Sequence, residues 1–133
     1  MIVVDTNIIS YLYISGDHSQ QSEDLLLADS AWVAPVLWRS EFRNVLALYF
    51  RKNLLEFEDI LRILQQAEKL LSDNEYEISS AHIMQLIKSS KCSAYDCEFV
   101  ALAQHLNVPL ITADKNILRE FPAIAKSINS YLT

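Results

Sequence analysis

The sequence predicts an α/β fold, a three-layer α/β/α arrangement around a mostly parallel central sheet. Short apolar runs at Ile2-Val3-Val4, Ala31-Trp32-Val33 and Val108-Pro109-Leu110-Ile111-Thr112 have the length and composition of buried strands. Between them lie long segments with apolar residues at helical spacing. Strand-like and helix-like stretches alternate along the chain, as crossover connections of a parallel sheet require. A length of 133 residues suits one hydrophobic core, so residues 1–133 are read as a single domain.

The Ile2–Val4 run leads straight into Asp5-Thr6-Asn7, whose short polar side chains are suited to capping a helix that carries Ile8, Ile9, Tyr11, Leu12 and Tyr13 and ends near Gly16. Asp17 to Gln21 reads as a polar loop, and Ser22 to Asp29 as a short helix. After the second strand, Pro35 introduces a helix from Val36 to Lys52, with Asn53 as its stop. A further helix from about Glu56 to Leu71 carries Ile60, Leu61, Ile63, Leu64, Ala67, Leu70 and Leu71 at helical spacing, so the two helices are expected to pair as an antiparallel hairpin. Tyr76-Glu77-Ile78 reads as a strand, and Ser79 or Ser80 caps a helix to about Lys88. Ser93 and Asp96 form a capping-box pattern ahead of Phe99-Val100-Ala101-Leu102-Ala103, and Asn107 ends that helix. The strand over Val108–Thr112 runs into Asp114 and a short helix over about Lys115 to Glu120. Ile124, Ile128 and Leu132, four residues apart, predict a terminal helix.

Composition removes several function classes. The chain has one glycine, Gly16, and phosphate-cradling loops of the dinucleotide-binding or P-loop type need two or more. Cys92 and Cys97, separated by four residues, have no second Cys or His pair at zinc-finger spacing, and both are expected to be packed thiols. No apolar run approaches the roughly 18 residues of a membrane span. The first residues lack the basic region of a secretory signal, which places the chain in the cytoplasm. A net charge of −6 argues against a protein that coats nucleic acid through many Lys and Arg contacts. Clustered acids would contribute to that total, and a bound divalent ion would offset them.

The acids carry the chemistry. Asp5 and Asp114 each follow a strand, and capping alone accounts for either one. Asp96 is accounted for equally by the capping box or by complementing the helix dipole. Glu41 differs, because its helical neighbours Leu37, Val45 and Leu48 are apolar and only Asn44 on that side is polar. A carboxylate on a core-facing stripe needs a partner, since an unpaired buried charge is costly. Sites in open α/β sheets form beyond the carboxyl ends of the strands, where Asp5 and Asp114 both fall. Convergence of all four acids would make a hard-oxygen site for magnesium or manganese, with phosphoryl chemistry that needs no His or Cys. His18, His82 and His105 have no partners at metal-ligand spacing and are read as surface or core residues.

The starting run Ile-Val-Val-Asp5-Thr6-Asn7, Glu41 on a helix, Tyr95-Asp96 before an apolar helix, and Pro109-Leu110-Ile111-Thr112-Ala113-Asp114 together resemble a PIN domain, specifically the compact VapC-type toxins. The resemblance spans the chain from Asp5 to Asp114. It implies a ribonuclease in which Asp5, Glu41, Asp96 and Asp114 hold magnesium, for which manganese may substitute, and in which Thr6, Asn7 and Thr112 orient the acids from behind. It also implies an RNA substrate, a homodimer, and a small antitoxin protein whose tail enters the groove beside the acids. Tyr11, Tyr13 and Trp38 are candidates for stacking on bases, although such spacing also suits core packing. Lys88, Lys91, Lys115, Arg119, Arg39 and Arg43 are candidates for a local basic rim. The alternative is a catalytically weak PIN-like interaction module that binds a basic partner through its acidic groove. A haloacid-dehalogenase-type phosphatase would carry a second Asp at position 7, which is Asn7 here, and a receiver domain would carry its acceptor Asp after a mid-chain strand.

Overall fold

A computed structural model describes all residues 1–133. Five strands, β1 (Ile2–Val4), β2 (Trp32–Pro35), β3 (Glu75–Tyr76), β4 (Leu110–Ile111) and β5 (Ala125–Lys126), form one sheet in the order β3-β2-β1-β4-β5. Every pairing is parallel, with Val3 opposite both Val33 and Leu110. The chain builds outward from β1 to β3 on one side and then crosses to β4 on the other. The order therefore reverses between β1 and β4, the position at which α/β sheets open a crevice.

Eight helices flank the sheet: α1 (Thr6–Tyr13), α2 (Ser19–Ala28), α3 (Trp38–Arg51), α4 (Phe57–Leu70), α5 (Ser80–Lys88), α6 (Ala94–Leu106), α7 (Lys115–Glu120) and α8 (Ile128–Leu132). Helix α6 packs against β1, β2 and β4, with α5 outside it, while α1 to α4 and α8 pack among themselves as the other layer. Cys97, Phe99, Val100, Ala101, Leu102 and Ala103 are all buried, so the middle of α6 is enclosed between the sheet and α5 while its two ends reach the surface. No helix is long and apolar enough to cross a membrane.

The predicted hairpin forms. Phe50 and Phe57 meet edge-on at 6.0 Å where α3 turns into α4, and Arg39 near the start of α3 reaches Glu68 near the end of α4 at 2.8 Å. Asn107 ends α6 in the left-handed conformation, with φ 55° and ψ 48°, and Asn53 takes φ 58° just beyond α3.

Three expectations are corrected. The stretch read as a loop from Asp17 to Gln21 enters α2 at Ser19, and Ser22, read as the helix start, lies inside it, buried, with its hydroxyl donating to the Ile8 carbonyl at 3.1 Å. Helix α1 ends at Tyr13, before Gly16, because Ile14 is extended at φ −111°. The terminal helix is shorter than its apolar spacing predicts, since Ala125–Lys126 leaves it to pair with β4 and Ser127 caps the five-residue α8. Two strand residues are too few to show a period of their own, and the bonds Leu110 N to Ile124 O at 2.9 Å and Thr112 N to Lys126 O at 3.0 Å decide the matter.

Phe99, 1% exposed at the centre of the core, tests this packing. Phe99→Ala is expected to cost about 3–5 kcal/mol through lost burial and a residual cavity. Urea unfolding of the two proteins measures it, and a loss below about 1 kcal/mol would place α6 outside the core.

Candidate active site

Asp5 follows β1 and caps α1, its backbone extended at φ −71° and ψ 158°. Its Oδ1 accepts from Thr6 N at 2.8 Å, so capping and site placement coincide rather than compete. Its Oδ2 accepts from the Thr112 hydroxyl at 2.7 Å and from Asn7 Nδ2 at 3.4 Å. Only 7% of Asp5 is exposed. Burial drives its carboxyl up to about 6; the Thr112 and Thr6 bonds hold it down, while the charges of Glu41 and Asp96 push it further up.

Glu41 lies one turn into α3, half-buried, and its Oε1 accepts from the Thr6 hydroxyl at 2.7 Å. Burial raises its carboxyl, the Thr6 bond opposes the shift, and the Asp96 charge adds to it. The stripe proposed around it needs correction. The face of α3 that enters the core carries Trp38, Phe42 and Leu46, whereas Leu48 is 48% exposed. Glu41 sits on the shoulder of that face and opens onto a cavity that Asn44 and Val45 also line. The apolar residues at −4, +4 and +7 mark this shoulder, not the core.

Asp96 is in the first turn of α6, where its N–H donates to the Ser93 hydroxyl at 3.1 Å as the capping box predicts. Burial raises its carboxyl, the Asp114 charge raises it further, and Ser93 opposes. Asp114 caps α7 through Oδ1, which accepts from Asn116 N at 2.8 Å and Ile117 N at 3.0 Å. The N–H of Asp114 donates to the Thr112 hydroxyl at 3.0 Å. One fully buried threonine thus joins two acids: it donates to Asp5 and accepts from the backbone of Asp114. Asn7 makes a parallel tie, its Oδ1 accepting from Ala113 N at 3.3 Å.

All four acids, with Thr6, Asn7, Ser10 and Tyr11, face one open cavity of about 440 Å³. Thr112 stands behind it. No Lys or Arg lines the cavity, so none of the candidates for a basic rim is among the groups that face it. Arg39 is instead held by Glu75 at 2.6 and 2.8 Å and by Glu68 at 2.8 Å, and Arg119 by Asn116 at 2.8 Å. Ser10 and Glu98 went unnoticed in the sequence. Burial and the Glu41 charge raise the Glu98 carboxyl, and an acid among the apolar residues of α6 was the available signal. The acids share a cavity without converging on one point, for no three of the Asp, Glu, His or Cys side chains are grouped closely enough to hold an ion as they stand. The donor set is nonetheless wholly hard oxygen, and mutually repelling carboxylates with no cation beside them fit a divalent ion supplied from solution.

A model of the PIN domain matches residues 2–124. Ribonuclease VapC3 of Pyrobaculum aerophilum is 28% identical over 126 residues, which cover 92% of this chain and 96% of that protein. A crystal structure of a P. aerophilum protein superposes with a TM-score of 0.78 at 15% identity, over 98% of this chain and 92% of its own. A toxin–antitoxin complex from Klebsiella pneumoniae contains a chain with a TM-score of 0.69 at 18% identity, over 96% of this chain and 98% of its own. These solved structures share the three-layer fold.

The raised Asp5 carboxyl gives a pH-dependent stability of definite sign. The folded protein holds the proton to about pH 6 while an ordinary carboxyl of 3.8 has released it, so stability in chelator falls as pH rises through that window. Asp5→Asn removes this contribution and is expected to be more stable than wild type at pH 7 by on the order of 2–3 kcal/mol, with the difference vanishing near pH 4. Adding magnesium at pH 7 is expected to stabilise wild type more than the variant. Melting curves across pH test all three, and a variant less stable than wild type at pH 7 in chelator would make Asp5 a structural cap alone.

Proposed function

Because the chain belongs to the PIN domain family, we propose that it is a magnesium-dependent endoribonuclease, the VapC-type toxin of a type II toxin–antitoxin pair, acting in the cytoplasm as a single-domain subunit of a homodimer. The observation that carries the reading is the presentation of Asp5, Glu41, Asp96 and Asp114 to one open cavity, with Asp5 buried among like charges and no basic side chain in the lining. Support for RNA as substrate comes from the relative named as a ribonuclease. Support for a small antitoxin partner comes from the structural neighbour found in a toxin–antitoxin complex.

In this reading the four carboxylates hold magnesium, or manganese in its place. The bound metal supplies Lewis-acid stabilisation of charge on a phosphoryl oxygen and a lowered pKa for water. The chain's own residues supply position. The Thr112 hydroxyl directs one oxygen of Asp5, the Thr6 amide fixes the other, and the Thr6 hydroxyl holds Oε1 of Glu41. Asp114 offers the oxygen not used in capping α7. Neutralised carboxylates admit a phosphodiester that the bare acids would repel. The second reading is an acidic groove that docks a basic partner without cleavage, and the cavity's carboxylates with no basic side chain beside them supply the charge for it.

Cleavage of total cellular RNA by purified protein in magnesium, in manganese and in excess chelator separates the two. Cutting is expected in either metal and not in chelator, and Asp96→Asn is expected to lose at least about 100-fold, more than the loss of an orienting partner. RNA left intact under every condition by inhibitor-free protein would favour the docking groove. Thr112→Val keeps the shape and removes the hydroxyl, so it is expected to lower activity about 10- to 100-fold and raise the magnesium needed for half-maximal rate. Wild-type metal dependence in that variant would remove the orienting role of Thr112.

A further inference from the structure

Three aromatic residues were candidates for base stacking, and their environments separate them. Trp38 is fully buried, its indole N–H donating to Glu75 at 2.7 Å. Tyr13 gives its hydroxyl to the Gln66 carbonyl at 3.3 Å and packs against Phe42 at 6.4 Å. Tyr11 alone lines the acidic cavity. It also lines a second cavity of about 230 Å³ that shares Ser10 with the first and includes His18 and Tyr49. Tyr11 is thus the wall between the acids and a smaller aromatic chamber. Its ring is braced against His18, with centroids 4.6 Å apart and planes 33° from parallel.

We propose that this smaller cavity receives an unpaired nucleobase of a single-stranded RNA whose adjacent phosphate lies among the acids, and that Tyr11 is the platform on which the base stacks. The inference rests on the nuclease reading and assigns Tyr11 as the residue that positions the base beside the acids. Neither cavity is lined by Lys or Arg, so no basic side chain there holds phosphate, and affinity beyond the phosphate at the neutralised acids has to come from base faces. Ser15 and Asp17 at the chamber's edge supply hydrogen-bonding groups for a base edge. Bases inside a duplex remain in the stack and cannot enter. Tyr11 is a substrate-positioning residue and takes no part in bond breaking.

The test measures cleavage and equilibrium binding of a fluorescein-labelled single-stranded oligoribonucleotide, free or annealed to its complement, in magnesium. Tyr11→Leu keeps bulk against the core but removes the aromatic face, Tyr11→Phe keeps the face, and melting curves check both folds. For Tyr11→Leu, KM and Kd are expected to rise roughly 5- to 150-fold, the effect of losing one base–aromatic stack, with kcat within about threefold. Tyr11→Phe should match wild type, and the duplex should be cut at least about tenfold more slowly. Unchanged KM and Kd in Tyr11→Leu, or a duplex cut as fast as the single strand, would overturn the base site while leaving the nuclease intact. Binding of the single strand that needs Tyr11 but is never followed by cutting would overturn the nuclease reading and support the base site. Absence of both binding and cutting would overturn both.

Discussion

A carboxylate has been placed where water is nearly excluded, at the carboxyl end of the central strand, and much of the surrounding polar structure follows from holding it there. Asp5 accepts hydrogen bonds from Thr6 N and from the Thr112 hydroxyl, yet its carboxyl remains raised to about 6, so those bonds do not offset desolvation. The same Thr112 oxygen receives the Asp114 N–H, and Thr6 reaches Glu41. Two threonines, Thr6 at the start of α1 after β1 and Thr112 just beyond β4, therefore set the positions of three acids. This is a network in which each hydroxyl both satisfies and orients.

The scaffold is arranged so that strain at these acids is borne by packing elsewhere. Helix α6 presents Asp96 from its first turn while the rest of the helix is anchored by Phe99, Val100 and Leu102 against the sheet. Helix α3 presents Glu41 from its shoulder while Trp38, Phe42 and Leu46 enter the core. At its start α3 is clamped to β3 and α4 by Arg39, whose guanidinium is shared between Glu75 and Glu68. Four elements thus deliver one acid each, and none depends on the acid for its own burial. Substituting an acid should spare the fold for that reason.

Electrostatics gives the cavity a selective character. Glu41, Asp96 and Glu98 are all raised first by burial and then by neighbouring acids, with no basic residue in the lining. A polyanion meets repulsion there until the acids are neutralised. A chain of net charge −6 cannot compensate through a general basic surface. Recognition by the aromatic wall at Tyr11 is consistent with that constraint, because stacking does not require positive charge.

Local signals in the sequence were enough to determine most of the element types, β5 being the exception among the strands. Apolar runs marked β1, β2 and β4; Ser93 and Asp96 marked the start of α6, Asn107 its end, and Asp5 and Asp114 the entries to α1 and α7. Capping and periodicity act within a few residues, so they can be read without the fold. The order of acids that resembles a PIN domain was legible for the same reason, and the match over residues 2–124 agrees with it. Contacts between distant segments were decided only by tertiary structure. Thr112 meets Asp5 across 107 positions and Thr6 meets Glu41 across 35, and β5 exists because β4 has an open edge beside it. Which face of α3 is buried, and which of Tyr11, Tyr13 and Trp38 remains open, depend likewise on what packs against them. A side chain's type limits what it can do, but its neighbours in space fix its solvation and charge, and those neighbours come from the fold.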